Sequence, residues 1–152
     1  LTAQTKGYVK QLLKQYGLGD FLSHRPSQLS GGMRQRAALV RTLALKPELL
    51  LLDEPFSALD YQTRLSVSDE IWRILRQTGK TAVLVTHDIS EAISLGDRVL
   101  VLSARPGRIL QDLPMDFGAD RTPLSVRSLP AFQTYFQEIW QAMTQEGGEN
   151  HA

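Results

Sequence analysis

Tyr8, Val9, Leu12, Leu13 and Tyr16 recur at helical spacing with Lys10, Lys14 and Gln15 on the other side, which predicts a helix from about Thr5 to Tyr16, stopped by Gly17. A loop is expected around Asp20 to Pro26. Ser30 stands at an N-cap position, and Gly31 to Leu45 carries Met33, Ala37, Val40 and Ala44 on one face before Pro47 ends the pattern. Glu48 is followed by Leu49 to Leu52 and then Asp53-Glu54-Pro55, a continuous apolar run suited to a strand buried on both faces of a parallel sheet. Tyr61, Leu65, Ile71, Trp72 and Leu75 predict a long helix to Thr78, closed by Gly79. Thr81 to Thr86 reads as another buried strand, after which Ser90 is placed to cap a short helix containing Ala92, Ile93 and Leu95 and ending at Gly96. Val99 to Leu102 is a third strand, Arg105-Pro106-Gly107-Arg108 a turn and Ile109-Leu110 a hairpin return. Pro130 to Met143 forms a last helix with Phe132, Tyr135, Phe136, Ile139, Trp140 and Met143 as its stripe, and Gly147 to Ala152 should be loose.

Strands alternating with helices of this length imply an α/β class with a mainly parallel sheet flanked by helices. Ligands of such sheets bind beyond the carboxyl ends of the strands, which directs attention to Asp53, Glu54 and His87. The 152 residues suit one domain of ordinary size, and 42% hydrophobic with 22% charged residues is a globular composition. Seventeen Lys and Arg against sixteen Asp and Glu leave a net charge of +1, so no field gathers nucleic acid or anionic lipid. Without cysteine there is no disulfide, Fe–S cluster or cysteine-ligated zinc. The longest apolar run, Leu49 to Leu52, is too short to cross a bilayer, and the N-terminus has no signal-peptide pattern. Leu1 stands almost at the start of an amphipathic pattern and has the look of a cut end.

Adjacent carboxylates at a strand mouth repel each other unless a cation or hydrogen-bond donors lie between them. Asp53 could hold a magnesium ion while Glu54 polarises an attacking water; alternatively the pair caps a loop or the next helix. Ser30-Gly31-Gly32 opening a helix lets backbone N–H groups approach an anion, or serves as an ordinary cap with a flexible lead-in. A lone histidine after a strand, as His87 is, is more often a packed or solvated residue than a catalytic one.

In order and spacing, Leu29-Ser30-Gly31-Gly32-Met33-Arg34-Gln35-Arg36, Leu49 to Glu54, Ser57-Ala58-Leu59-Asp60 and Thr86-His87-Asp88 resemble the signature, Walker B strand, D-loop and switch histidine of ABC transporter ATP-binding subunits. The resemblance runs from about Tyr8 to Trp140 and implies a partial P-loop NTPase domain with part of the helical signature subdomain. It implies ATP and Mg²⁺ as cofactors, Asp53 at the metal, Glu54 as general base and His87 at the γ-phosphate, with Glu54 and His87 the catalytic pair. It places Ser30, Gly31, Gly32 and Gln35 against the nucleotide of the facing subunit, and makes Asp60 couple the two sites. Met33 departs from the commonest signature, which has Gln there.

The phosphate-binding loop G-x-x-x-x-G-K-[ST] has no counterpart. Gly79-Lys80-Thr81 fails because Ile74 occupies the first glycine position and the segment leads into a strand. The chain is therefore expected to be a C-terminal part of a longer subunit, inactive alone and prone to self-association: 1–46 in the signature subdomain, 47–115 in the ATPase core, 116–146 a linker and helix, 147–152 a disordered tail. Ser103 to Ile109 with Asp112-Leu113-Pro114 resembles importers of the nitrate, sulfonate and taurine group. The implied partners are a second ATPase subunit, membrane-spanning permeases and, indirectly, a solute-binding protein, at the cytoplasmic face of the membrane. Two rivals are an ABC-type ATPase acting on nucleic acid, disfavoured by the near-neutral charge, and a non-enzymatic remnant that binds a partner through Trp72 and Trp140.

Overall fold

The computed structural model describes residues 2–149. They divide into two compact units, one ending at Val85 and the other beginning at Thr86.

In the first unit, α1 (Ala3–Gln15) is capped by Thr2, whose side chain accepts from the Thr5 N–H. Gly17, at φ 73°, reverses the chain so that Leu18 N–H bonds the Leu13 carbonyl at 2.7 Å. Leu12, Tyr16 and Leu18 are buried. The expected loop contains two 3-10 turns, Gly19–Phe21 and Pro26–Gln28, before α2 (Gly31–Leu43). This helix ends well before Pro47, and Lys46, at φ 53°, turns the chain towards β1 (Leu49–Asp53). Helix α3 (Tyr61–Thr78) begins at the Asp60 cap and ends at the left-handed Gly79, as the pattern predicts. Helix α2 packs on both α1 and α3.

Strands β1 and β2 (Thr81–Val85) pair in parallel, with Leu49 opposite Thr81 and Asp53 opposite Val85. The expectation that both strands are buried on two faces is wrong. Leu50 is fully buried, but Leu51 is 70% exposed, and Leu49, Val83 and Val85 are exposed with it. These residues alternate along the two strands, so one face of the pair is packed and the other carries uncovered aliphatic side chains.

The second unit contains α4 (Ile89–Leu95), β3 (Arg98–Leu102), β4 (Ile109–Pro114), α5 (Pro123–Val126) and α6 (Pro130–Glu149). Strands β3 and β4 form an antiparallel hairpin, and the Ser103 hydroxyl oxygen accepts the Arg108 N–H at 2.8 Å across its turn. The third strand thus pairs with its hairpin return, while the parallel pairing lies between β1 and β2. Ile89, Ile93, Val99, Val101, Met115, Val126, Phe132 and Ile139 make the core of this unit. Arg121, with its side chain 3% exposed, donates to the carbonyls of Ser94 and Gly96 and to Asp97, closing the carboxyl end of α4.

Three further expectations need correction. Asp88, not Ser90, caps α4, because its short carboxylate reaches the Glu91 N–H. Helix α6 runs to Glu149, past the Met143 at which the pattern ends it, and the remainder of the expected tail lies outside the described residues. Trp140 and Met143 of the predicted stripe are exposed, as is Tyr61 in α3, whereas Phe132 and Ile139 are buried. Among the described residues no helix is long and apolar enough to cross a membrane.

The two faces of β1 should respond oppositely to substitution. Leu50→Ala is expected to destabilise the chain by about 2–5 kcal/mol in urea unfolding. Leu51→Ser should change stability by no more than about 0.5 kcal/mol while reducing self-association in sedimentation velocity.

Candidate functional site

The acidic pair stands at the carboxyl end of β1. Asp53 is the last residue of the strand and is exposed. Glu54 is half-buried and adopts φ 45°, a left-handed conformation that side-chain-bearing residues avoid. Its N–H extends the parallel ladder to the Val85 carbonyl at 2.9 Å, and its own carbonyl accepts from the N–H and the hydroxyl of Ser57. The next residue is held as well, since the Gln35 side-chain amide donates to the Pro55 carbonyl. The carboxylate of Glu54 is thus launched from a backbone fixed on both sides.

Ser30 is extended and exposed, and its hydroxyl oxygen accepts the Met33 N–H at 3.2 Å. That bond leaves the hydroxyl proton to be donated outward. The N–H groups of Gly31 and Gly32 belong to the first turn of α2, where a helix offers them no internal partner. The glycines have a second reason to be glycines. A β-carbon on Gly31 would lie 2.9 Å from Leu59 Cδ2, and one on Gly32 would lie 2.7 Å from Val67 Cγ2. The start of α2 is therefore pressed against the loop before α3 and against α3 itself. Nearby, Arg34 donates to the Leu29 carbonyl at 2.6 Å, and Arg36 pairs with Glu70 at 3.2 Å. Gln35, expected to reach a nucleotide of the facing subunit, has its amide engaged by its own chain.

Asp60 caps α3: one carboxylate oxygen accepts the Thr63 N–H at 3.0 Å and the other the Thr63 hydroxyl at 2.6 Å. The hydroxyl bond and then the backbone bond from Thr63 hold this carboxyl below its ordinary range. Gly79-Lys80-Thr81 is a helix stop leading into β2, as read from the sequence.

His87 is exposed in the second unit, directly before the Asp88 cap of α4. Among the described residues no group of three or more His, Asp or Glu is assembled to hold a metal. A single exposed carboxylate such as Asp53 nevertheless fits magnesium, which keeps most of its own waters. Sequence reasoning missed the left-handed Glu54, the Gln35–Pro55 bond, and the buried Glu91 behind His87. Only the last had a local signal, the Asp88-x-x-Glu91 spacing of a capping box.

Comparison with known proteins agrees with the family resemblance. Residues 2–57 match the family model described as ABC transporter. An ABC transporter ATP-binding protein of Bacillus subtilis (strain 168), YtlC, is 51% identical over 145 residues, 94% of this chain and 55% of that protein. The bicarbonate transport ATP-binding protein CmpC of Synechocystis sp. is 41% identical over 95% of this chain and 22% of its own length. The aliphatic sulfonates import ATP-binding protein SsuB 1 of Pseudomonas savastanoi pv. phaseolicola is 47% identical over 75% of this chain and 48% of its own. A solved chain described as an inward-facing conformation of a metal-chelate type ABC transporter matches with a TM-score of 0.59 and 27% identity, over 66% of this chain and 40% of that one. In sequence and fold the chain is similar to ABC transporter ATP-binding proteins, and it spans about half the length of YtlC and SsuB 1.

Two changes test this packing. Gly32→Ala should cost about 1–3 kcal/mol in urea unfolding, because the new methyl group meets Val67. A carboxyl with a lowered folded-state pKa contributes stability above its unfolded pKa and loses it as pH falls through the folded one. Asp60→Asn, which still caps but does not titrate, should therefore flatten the acid limb of stability below the usual carboxylate range while changing little at pH 7. Urea midpoints across acidic pH check it; an unchanged acid limb would count against the Asp60 cap.

Proposed function

We propose that this chain carries the signature, Walker B, D-loop and switch elements of an ATP-hydrolysing subunit, and that the subunit energises an importer of a small anion such as nitrate, a sulfonate or taurine. The observation that carries the reading is Glu54: a carboxylate directly beyond a parallel strand, on a left-handed backbone held by Val85, Ser57 and, through Pro55, Gln35. Strained, over-determined backbone of this kind gathers where a side chain must be aimed.

Within that reading Glu54 is the general base that takes the proton of the attacking water, and His87 donates to the γ-phosphate. Magnesium, when bound with ATP, neutralises charge on the phosphates, and Asp53 is the residue that would hold it, through water. The outward hydroxyl of Ser30 and the N–H groups of Gly31 and Gly32 contact phosphate oxygens of a nucleotide bound mainly by the facing subunit in a head-to-tail dimer. Gln35 supports this contact from behind, by tying α2 to the Glu54 turn. Asp60, at the start of α3, lies on the loop that packs against Gly31 and links the two elements. The assembly sits peripherally on the cytoplasmic face of the membrane, coupled to permease subunits that receive solute from a binding protein. The anion class rests on the Ser103 to Ile109 resemblance and on the sulfonate-import and bicarbonate-transport relatives.

The test is MgATP binding and turnover of the 152-residue chain beside a version extended upstream through a phosphate-binding loop. The longer protein should bind and hydrolyse ATP and the shorter should not. In the longer one Glu54→Gln should cut turnover by roughly 10²–10⁴-fold with MgATP binding retained. Unchanged turnover in that variant would overturn the role of Glu54, and hydrolysis by the short chain alone would overturn the assignment of the phosphate site.

A further inference from the structure

The turn between β2 and α4 contains more polar coupling than a helix start requires. Asp88 Oδ1 accepts the Glu91 N–H at 3.1 Å, which is half of a capping box. In the ordinary box the glutamate at the third position reaches back to the N–H of the cap residue. Here the Asp88 N–H donates instead to Thr86 Oγ1 at 3.1 Å, and the Thr86 hydroxyl donates to Glu91 Oε2 at 2.8 Å. The hydroxyl of Thr86 is thus inserted between the two halves of the box. The resulting ring runs from Thr86 to Glu91 to Asp88 and back, and it closes without any side-chain atom of His87.

His87 is nevertheless enclosed by it in sequence, because both of its peptide neighbours are members. Its backbone is therefore pinned to the first turn of α4 on each side, while the residue itself stays exposed. The ring also explains a buried charge-bearing residue. Glu91 is 3% exposed, a poor place for a carboxylate unless its hydrogen bonds repay the desolvation. A solvent-facing box would cap α4 equally well; only the buried version draws Thr86 into the helix end.

We propose that Thr86 and Glu91 are positioning residues for His87, setting where its imidazole starts and which way it faces. The proposal rests on the reading of His87 as the γ-phosphate contact, and its test separates the two.

The first measurement needs no variant. In the 152-residue chain the Asp88 amide should be protected from hydrogen exchange well above the free-peptide rate. Exchange at the free-peptide rate would overturn the ring. In protein labelled at histidine with ¹³C and ¹⁵N, the His87 signals, identified by their loss in His87→Gln, should move in Thr86→Val and return in Thr86→Ser. The core methyl signals of Val126 and Ile139 should stay in place throughout. Unmoved His87 signals in a folded Thr86→Val protein would also overturn the proposal. The second measurement is MgATP turnover of the subunit assembled with its transport partners. Thr86→Val should lower kcat by up to about a hundredfold at unchanged KM, with rescue by Thr86→Ser. If His87→Gln abolishes turnover and Thr86→Val leaves it intact, the positioning role fails and the histidine reading stands. If His87→Gln leaves turnover intact, the histidine reading fails, and the histidine signals alone decide the geometry.

Discussion

The parallel ladder between β1 and β2 runs one hydrogen bond past the end of β1, from the Glu54 N–H to the Val85 carbonyl, and that bond holds a residue at φ 45°. Left-handed backbone costs a residue with a β-carbon about 1–2 kcal/mol, so the conformation persists only where neighbours enforce it. Ser57 bonds the Glu54 carbonyl twice, and Gln35 bonds the carbonyl of Pro55. Helix α2 is thereby tied to the acidic turn, and its first turn is seated on Leu59 and Val67 through two glycines that admit no side chain. The first turn of α2, the Glu54 turn and the loop that leads to the Asp60 cap are parts of one packed corner of the first unit.

The second unit meets a different constraint. Helix α4 has only seven residues, and an isolated helix of that length is not stable in water. It is held at both ends by buried groups: Glu91, with Thr86 and Asp88, at the start, and the Arg121 guanidinium on the carbonyls of Ser94 and Gly96 at the finish. Ile89 and Ile93 then bury its apolar side in a core shared with β3 and α6. The exposed His87 stands immediately before this helix, between two residues of its hydrogen-bonded start.

The succession of helices and strands and the residues beyond each strand were legible in the sequence because they follow from periodicity and from local stop signals such as Gly17 and Gly79. The exposure of Leu51 and Val83 was not legible, since a run of leucines reads as buried whether or not both faces of a sheet are covered. Ser90 and Asp88 are both good caps, and only backbone geometry chooses between them. Of the candidate site, the placement of Asp53, Glu54 and His87 at or just beyond the strand ends was legible. The left-handed φ of Glu54 and the Gln35–Pro55 bond depend on residues far apart in the chain, to which no local pattern points.

Arg121 reaches its carbonyl partners across 25 and 27 positions of chain, so the whole β3–β4 hairpin lies within the span that the clamp on α4 closes. The carboxyl end of this short helix is thus completed by a residue supplied from beyond the hairpin. Closing a span of that length costs chain entropy, which the core that Ile89 and Ile93 share with Val99 and Val101 of the hairpin offsets.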